Sequence, residues 1–587
     1  MDFPPPHEPI LNPLVSERRF AFLQQLESLL PTFSPFERLT LYILSFILAA
    51  SAFGMLALIN YEVTNPIPTQ GGSLTEGVVG TSRFANPLLA ASDTDKDVSA
   101  LVYSGLMRSL PDGSLTPDIA EGVEVSEDGT TYLFTLRSDA TFHDGTPVTS
   151  ADIVFTVTAA QHPDIKSVKR AEWDGVHVEA IDPVSVKFTL PRAYAPFLEA
   201  TTLGILPAHL WENVSPADFP FHQLNKKPVG SGPYRIDDVR EDSSGAPIEY
   251  SLRSFENFTL GVPYIKRITL HVYANEDDAL KALEKRDIES IAAITPSVLP
   301  EGTNVIRTPL PRVFAVFINE AKSPVLIEKE VRRALNTAVD REALIATSLS
   351  GYGEAVTGPL PKNIAPTPAP PTTPITSEER LVAARAILEK AGWVMDEAKQ
   401  VRVNKKGTAL AFSLTTADTP ELSQTAEALA QTWRSLGATV TIKVFSTGDL
   451  NTTVIRPREY EALLFGEVVG RGADLYAFWH SSQRNDPGLN LSLYANAKAD
   501  RLLTEARRET DPSLRKEKLL EFAATVEEDV PAIFLYVPEF IYSIPDDLFG
   551  VSLGTLTTAS ERFANVYEWH RETERVWDIF ITDSKQL

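Results

Sequence analysis

The chain has 587 residues, more than a single hydrophobic core usually holds, so we expect two or three lobes. Its net charge of −24 argues against nucleic acid as a partner, because phosphate groups are bound by clustered Lys and Arg side chains. No cysteine is present, which excludes disulfides, thiolate metal sites and cysteine nucleophiles.

An apolar segment, Leu39–Tyr61, is the first element that the sequence predicts. It carries no charge over 23 residues, long enough for a helix to cross a hydrocarbon core of roughly 30 Å. Arg18, Arg19 and Arg38 precede it, and the next basic residue is Arg83. The positive-inside rule therefore predicts a cytoplasmic N-terminus, with the large remainder of the chain outside the membrane.

Two interpretations of this segment are open. It is either a permanent single-pass anchor or a long signal peptide that is cleaved after Ala50–Ala52. We favour the anchor, because the preceding tail (residues 1–38) and the apolar run are both long for a signal peptide. Residues 62–70 contain two prolines and are expected to be a linker.

A hairpin followed by a helix is predicted in the first third of the chain. Tyr132, Phe134 and Leu136 recur at every second position, which places them on one face of a strand. Thr149 is a candidate helix N-cap, and Asp152 follows three positions later, where it completes a capping-box pattern.

Further strands and helices alternate along the remainder of the chain. In chain order these are the strands Val176–Ala180, Val184–Leu190 and Arg267–Tyr273, the helix Glu276–Arg286, the strand Val313–Ile318, the helix Val331–Arg341, a Pro-rich connection over 359–374, the helices Ser377–Ala391 and Ala426–Leu436, the strand Thr439–Phe445, the helices Lys498–Glu509 and Pro512–Glu528, and the strand Ile533–Val537. No repeat of fixed period accompanies them, so the sequence does not indicate a solenoid.

Four ordered motifs carry a resemblance to a known family. They are Leu115–Glu121 (LTPDIAE), Phe142–Pro147 (FHDGTP), Pro228–Tyr234 (PVGSGPY) and Val331–Arg341 (VRRALNTAVDR). In this order they resemble the extracellular solute-binding proteins of family 5, the oligopeptide- and dipeptide-binding type that feeds ABC importers. The resemblance runs from about Gly71 to Tyr536.

The resemblance implies a mixed α/β fold in which two lobes surround a cleft. This is the type II clamshell of periplasmic binding proteins, with an extra subdomain in lobe 1. The expected divisions are a cytoplasmic tail over 1–38, a transmembrane helix over 39–61, a linker over 62–70, lobe 1 over 71–318 with its subdomain at about 99–210, lobe 2 over 319–540, and a return to lobe 1 over 541–587. Crossing strands near Val313–Asn319 and Ile533–Val537 are expected to form the hinge.

The implied binding site lies in the cleft. In peptide-binding relatives an Asp in an Ala-Asp-Tyr-like segment pairs with the ligand's α-ammonium group, and Asp474 stands in the matching segment here. Arg471 is a candidate for a ligand carboxylate, and Tyr476 and Trp479 are candidates for the walls of side-chain pockets. Each has a structural alternative, namely a helix cap or loop Asp, a solvated Arg, and aromatic rings packed in a core.

The function implied by the resemblance is that of a membrane-anchored, extracytoplasmic substrate-binding subunit of an ABC importer. We expect it to bind short peptides as a monomer, with permease and ATPase subunits as partners, and to need no cofactor, metal or catalytic residue. Two alternatives are open. The same fold could bind a nickel chelate, an oligosaccharide or another solute, or a clamshell sensor or adaptor could signal to a membrane partner.

Motifs of common enzymes are absent from the sequence. The nine histidines form no His-x-x-x-His or His-Glu-x-x-His pair, so a zinc hydrolase is not supported. Gly230-Ser231-Gly232 does not match the G-x-S-x-G pattern of hydrolases, and no phosphate-binding loop occurs. The ATPase of such an importer would therefore be a different protein.

Overall fold

The computed structural model describes residues 32–292, 299–362, 375–470, 473–577 and 579. Most of the expected cytoplasmic tail, most of the Pro-rich connection and Arg471 lie outside the described residues. The chain divides into two compact units, one made of Met1–Thr69 with Glu572–Leu587 and the other of Gln70–Arg571.

The first unit contains the apolar helix, which extends over Pro35–Glu62. It begins with a capping box in which Ser34 and Glu37 exchange hydrogen bonds, and none of its residues is buried. Within the described part of the chain it is the helix that is long and apolar enough to cross a membrane.

The expected linker over 62–70 contains a strand instead. Thr64–Thr69 pairs antiparallel with Glu572–Trp577, near the other end of the chain. The strand tolerates Pro66 and Pro68 because residues two apart in a strand direct their backbone nitrogens to the same edge. That edge can face away from the partner strand, where no N–H donor is needed. Arg575 donates a hydrogen bond to the carbonyl oxygen of Tyr61 and fastens the ribbon to the end of the helix.

The second unit contains two hydrophobic cores, which define two lobes. The core of lobe 1 gathers residues between Leu74 and Leu270 and again between Phe540 and Trp569. Its central strands and long helices are Gly71–Val79, Tyr234–Glu241, Pro247–Ser254, Ile265–Tyr273, Ser290–Ala292 and Val305–Pro309, with the helices Asp93–Val102 and Glu276–Lys285.

A separate antiparallel sheet of four strands lies within lobe 1. In spatial order its strands are Ala120–Val125, Thr131–Leu136, Ser185–Thr189 and His177–Asp182. Tyr132, Phe134 and Leu136 are buried, and Thr149 with Asp152 forms the predicted capping box of the helix Ser150–Gln161. The remaining short elements are the strands Met107–Ser109 and Leu115–Pro117, the helices Arg170–Trp173, Phe197–Ala200 and Ala208–Trp211, and the 3-10 turns Phe219–Phe221, Gln223–Asn225 and Ala559–Glu568.

Two of the sequence motifs meet in lobe 1 through His143. Its Nδ1 accepts a hydrogen bond from the backbone N–H of Gly230 at 3.3 Å, so the ring proton lies on Nε2, which donates to the carbonyl of Gly232 at 3.0 Å. Both glycines lie against the backbone of Val102, where an added Cβ would come within 2.1 Å and 2.6 Å of its atoms. The motifs therefore hold two loops of lobe 1 against its first helix.

A buried ionic cluster joins distant parts of lobe 1. The fully buried guanidinium of Arg562 lies 2.6 Å from Glu76 in the opening strand and 2.7 Å from Asp97 in the first helix of the lobe. Tyr542 donates a hydrogen bond to the second oxygen of Glu76 at 2.7 Å. The C-terminal segment is thereby bonded to the start of the lobe.

The core of lobe 2 draws its residues from Val313 to Val537. Its strands are Arg312–Ile318, Gly353–Ala355, Val394–Asp396, Val401–Val403, Ala411–Ala417, Thr439–Phe445 and Ala462–Val468. Its helices are Lys329–Ala338, Arg341–Ser348, Ser377–Lys390, Pro420–Arg434, Thr447–Asp449, Tyr476–Trp479, Ala497–Arg508 and Pro512–Asp529, with a π-helical turn at Leu450–Ile455 and a 3-10 turn at Ser481–Gln483. These bounds lie close to the predicted ones, although Pro420–Arg434 begins six residues before the expected start at Ala426.

The two lobes share one long strand, Ala532–Ser543. Its first half pairs with Arg312–Ile318 in lobe 2 and its second half pairs with Val305–Pro309 in lobe 1. A sheet of 12 strands therefore continues through both lobes.

The points where the chain crosses between the lobes differ slightly from the predicted hinge. The N–H of Leu310 donates to the carbonyl of Pro538 at 2.9 Å, so the two crossing segments are in contact there. The predicted hinge segments, Val313–Asn319 and Ile533–Val537, are buried in lobe 2 just beyond these points. The hinge was implied by the family resemblance, and its position stays a prediction.

Candidate functional site

A cavity of about 1040 Å³ lies between the two lobes. Lobe 1 supplies most of its wall, and lobe 2 contributes Val469, Gly470, Asp474 and Arg507. Pockets for drug-sized ligands measure roughly 300–1000 Å³, so this cavity is large enough for a ligand of several residues.

Charges of both signs line the cavity in nearly equal number. The basic residues are Lys96, Arg108, Lys169, Arg192 and Arg507, and the acidic residues are Asp118, Glu172, Asp174, Glu199, Asp474 and Glu561. The lining is thus much closer to neutral than the chain as a whole, whose net charge is −24. Such a surface favours a ligand with little net charge, including one that carries a positive and a negative group. In the described residues, no group of three or more His, Asp or Glu side chains is placed to hold a metal ion.

Asp474 lies in this cavity, in the loop before the helix Tyr476–Trp479. Its Oδ2 accepts hydrogen bonds from Arg507 Nη2 at 2.8 Å and Nε at 3.0 Å. Among the described residues, its Oδ1 accepts the N–H of Tyr476, at 3.3 Å, and no other donor. Through this backbone hydrogen bond the carboxylate acts partly as a local cap, as in the structural alternative given for Asp474 above. Asp474 also lines the cavity.

The Asp474 carboxylate also links the two lobes. Tyr194 of lobe 1 donates its hydroxyl hydrogen to Asp474 Oδ2 at 3.3 Å, and the guanidinium of Arg507 lies 5.2 Å from the centre of the Tyr194 ring. Burial raises the pKa of Tyr194 to about 12, and the Asp474 charge acts in the same direction, so the phenol stays protonated and donates at neutral pH. One acidic and one basic side chain of lobe 2 therefore hold a tyrosine of lobe 1.

The other predicted residues lie away from the cavity wall or outside the described residues. Tyr476 stacks on His480, with 4.1 Å between ring centres, and the Arg507 guanidinium lies 4.6 Å from the centre of the Tyr476 ring. Trp479 is buried in the core of lobe 2, and its indole N–H donates to Glu467 at 3.1 Å. Trp479 is therefore packed in a core in this structure, because its helix directs the indole ring into lobe 2. Arg471 falls in the part of the chain that is not described.

Glu467, the partner of Trp479, is itself unusual because its carboxyl is buried in lobe 2. Burial raises the pKa of this carboxyl well above its ordinary value, which favours the neutral acid. No ionic partner is needed for a neutral acid in such a place, and the indole hydrogen bond meets part of its bonding capacity.

Three residues of the lobe 1 wall were not singled out from the sequence. Arg108 and Asp118 line the cavity near the LTPDIAE motif, and Tyr567 comes from the far end of the chain. The Arg108 guanidinium lies 5.4 Å from the centre of the Tyr567 ring. Asp118 stands inside the LTPDIAE motif, so the sequence analysis treated it as part of the scaffold. Tyr567 is far from Arg108 and Asp118 in the sequence, so no local pattern indicates that the three residues meet.

Comparison with known proteins agrees with the fold. The protein-family model described as "Bacterial extracellular solute-binding proteins, family 5 Middle" matches residues 114–490 of this chain. Protein XP55 of Streptomyces lividans is 30% identical over 507 residues, covering 83% of this chain and 88% of its own.

Two further relatives have structures that contain a ligand. The oligopeptide-binding protein AppA of Bacillus subtilis (strain 168) is 27% identical over 497 residues, covering 82% of this chain and 89% of its own. Its structure in complex with a nonapeptide aligns with a TM-score of 0.63 at 24% identity, covering 86% of this chain and all of that one. NikZ of Campylobacter jejuni, in complex with Ni(L-His), aligns with a TM-score of 0.65 at 26% identity, covering 85% of this chain and 99% of that one.

Proposed function

The chain belongs to the bacterial extracellular solute-binding proteins of family 5, and we propose that it is the peptide-binding subunit of an ABC importer. The cavity carries this proposal. Its volume of about 1040 Å³ and its mixture of basic and acidic side chains suit a zwitterionic ligand of several residues. The similarity to a protein named for oligopeptide binding supports the same ligand class.

Binding in this proposal involves no bond-breaking chemistry. The lobes open and close about the segments that meet at Leu310 and Pro538, and closure surrounds the ligand. Tyr194 on one lobe and the Asp474–Arg507 pair on the other form a contact that closure makes and opening breaks. The loaded protein then delivers the peptide to a separate permease, and a separate ATPase drives transport.

We assign Asp474 to the ligand's α-ammonium group. Its Oδ2 is occupied by Arg507, whereas among the described residues Oδ1 accepts one long backbone hydrogen bond, at 3.3 Å. Arg507 holds the carboxylate in a fixed orientation through two hydrogen bonds. Tyr476 supports Arg507 from the opposite side, and Arg471 stays a prediction for a ligand carboxylate.

The helix Pro35–Glu62 is proposed as the membrane anchor of a single-pass protein. Its charge-free length and the basic residues on its N-terminal side support a cytoplasmic N-terminus and an extracytoplasmic body. A monomer is sufficient for this function, because one chain supplies both lobes and the cavity between them.

The test is native mass spectrometry of the full chain, purified in detergent from cells grown in rich medium. We expect a ladder of co-purified masses that matches short peptides of varied sequence. A single sugar or a nickel chelate would replace the peptide assignment with another solute. Peptide binding without uptake, when the chain is reconstituted with a cognate permease and ATPase, would favour the sensor or adaptor alternative.

A further inference from the structure

The C-terminal part of the chain returns to the end of the apolar helix. The antiparallel ribbon of the first unit pairs Trp577 with Thr64. Val63 alone separates Thr64 from the helix Pro35–Glu62, and the Thr64 hydroxyl donates to the carbonyl oxygen of Asn60 in the last helical turn. Opposite Cα atoms in such a ribbon lie about 4.5–5.5 Å apart. Trp577 therefore stands beside the point where the chain leaves the helix.

Arg575 fixes the ribbon to the end of the helix. Its guanidinium donates to the carbonyl oxygens of Tyr61 and Thr64, and its Nε donates to the Thr64 hydroxyl at 3.0 Å. It also lies 3.8 Å from the centre of the Tyr61 ring, within the range of a cation–π contact. Separating the ribbon from the helix would break all of these contacts, so the position of Trp577 follows that of the helix end.

Large apolar side chains at this end of the chain are open to solvent. Trp577 is 46% exposed and Ile579 is 80% exposed. In the sequence, Phe580 and Ile581 follow directly. Exposed apolar groups that cluster in this way mark a contact surface, and a tryptophan ring, which is apolar with one N–H donor, favours the boundary between a membrane and water.

The charges of the ribbon favour an apolar contact over an electrostatic one. Glu62, Glu572 and Glu574 are exposed at the helix end and in the second strand. Arg575 is the basic residue of the two strands, and its donors are directed to the helix end. The ribbon is therefore net negative, and attraction to anionic lipid headgroups does not account for a contact here.

We propose that Trp577 and Ile579 insert into the interfacial region of the extracytoplasmic lipid leaflet, as a second attachment of the chain to the bilayer that holds the helix. This rests on the proposed membrane anchor and is independent of the peptide assignment. The helix supplies most of the membrane affinity, and the two side chains hold the ribbon at the membrane surface. Both chain connections to the ligand-binding unit, after Thr69 and before Glu572, leave from this ribbon. The unit is thereby joined to the membrane through two paired strands instead of one flexible tether.

The test places fluorescent labels in the full chain, which has no cysteine of its own. Ile579→Cys, Phe221→Cys and Leu48→Cys are each labelled and reconstituted in phosphatidylcholine nanodiscs, whose two faces are both open to solvent. Leu48 lies near the middle of the helix, and Phe221, 84% exposed in the ligand-binding unit, is the matched apolar control. The quenchers are iodide in the water and phosphatidylcholine that carries a nitroxide either on its headgroup or deep in its acyl chains.

The expected result is a shallow lipid contact for the Ile579→Cys label. Iodide should quench it about threefold less than the Phe221→Cys label, and the headgroup nitroxide should quench it more than the deep one. The Leu48→Cys label should show the reverse order of the two nitroxides. Adding Trp577→Ser to the Ile579→Cys protein should restore most of the iodide quenching, whereas Trp577→Phe, which keeps an aromatic ring, should retain the shielding.

Other outcomes separate this inference from the proposed anchor. Equal iodide quenching of the Ile579→Cys and Phe221→Cys labels, with the Leu48→Cys label still shielded, would overturn the inference while the anchor stands. Free iodide quenching of the Leu48→Cys label would refute the anchor itself. Shielding of Ile579→Cys that occurs only in discs with two copies, or only after a permease is added, would assign the surface to a protein partner and overturn the lipid assignment. Shielding that Trp577→Ser leaves unchanged would also overturn it.

Discussion

Protonation of His143 should destabilise lobe 1 at acid pH. The neutral ring accepts from the N–H of Gly230 and donates to the carbonyl of Gly232. A second ring proton would place a donor on Nδ1 against the donor of Gly230, so one of the two bonds would be lost. Burial lowers the pKa of His143 from 6.5 to about 4, and the charge of Arg235 acts in the same direction.

The sign and size follow from this lowered pKa. Between pH 6.5 and about pH 4 the unfolded chain binds the proton and the folded chain does not, so stability is lost as the pH falls through this window. The gap between the two pKa values corresponds to at most about 3 kcal/mol, and partial exposure of the ring makes the real value smaller. We expect a loss on the order of 2 kcal/mol between pH 7 and pH 4.5 from this residue.

The assay compares urea unfolding of the wild-type chain and His143→Gln at both pH values. We expect the variant to be less stable than wild type at pH 7, because the glutamine side chain replaces the two hydrogen bonds of the imidazole ring imperfectly. The variant also lacks the group that titrates. The stability difference between the two proteins should therefore shrink by about 2 kcal/mol at pH 4.5. His177→Gln, at an exposed histidine in the same lobe, serves as the control. A difference that stays constant from pH 7 to pH 4.5 would refute the reasoning.

Three further predictions concern lobe 1 and the ligand. Arg562→Met should cost about 3–5 kcal/mol in thermal or urea unfolding, because it leaves two buried carboxylates without their cation; neutralising both acids in the same variant should recover most of this loss. Gly230→Ala should give little folded protein in an expression and melting assay, since the new Cβ would lie 2.1 Å from the carbonyl oxygen of Val102. Asp474→Asn should weaken peptides with a free amino group about tenfold in calorimetry, and N-acetylated peptides much less.

Each of these predictions has an outcome that contradicts it. A loss below 1 kcal/mol in Arg562→Met would mean that the two acids are neutral or hydrated in the native state. A stable Gly230→Ala protein would show that the loop can move away from Val102. Equal weakening of free and N-acetylated peptides by Asp474→Asn would assign that carboxylate to holding Arg507 and Tyr194 rather than to the ligand.

The parts of the fold that the sequence predicted depend on local interactions. The buried face of Tyr132, Phe134 and Leu136 follows from the two-residue period of a strand. The capping box of Thr149 and Asp152 spans four residues and can be read without any knowledge of the tertiary structure.

The parts that it did not predict depend on residues far apart in the chain. The strand Thr64–Thr69 looked like a linker because its partner, Glu572–Trp577, lies at the opposite end of the sequence. The inward direction of Trp479 is decided by the packing of lobe 2, since an aromatic residue beside a cleft can face either side. Arg108 and Tyr567 come together only through the C-terminal return to lobe 1.

The motifs that identify the family are structural, and this explains why they do not identify the ligand. His143 and Gly230 bond to each other within lobe 1, so they stabilise the lobe whichever solute is held between the lobes. The oligopeptide-binding protein AppA and NikZ, whose structure contains Ni(L-His), accordingly share this fold. In this chain the groups that can discriminate are the charged side chains of the cavity wall. Since Arg507 is committed to Asp474, ligand selection by charge falls to the other charged side chains of the cavity wall.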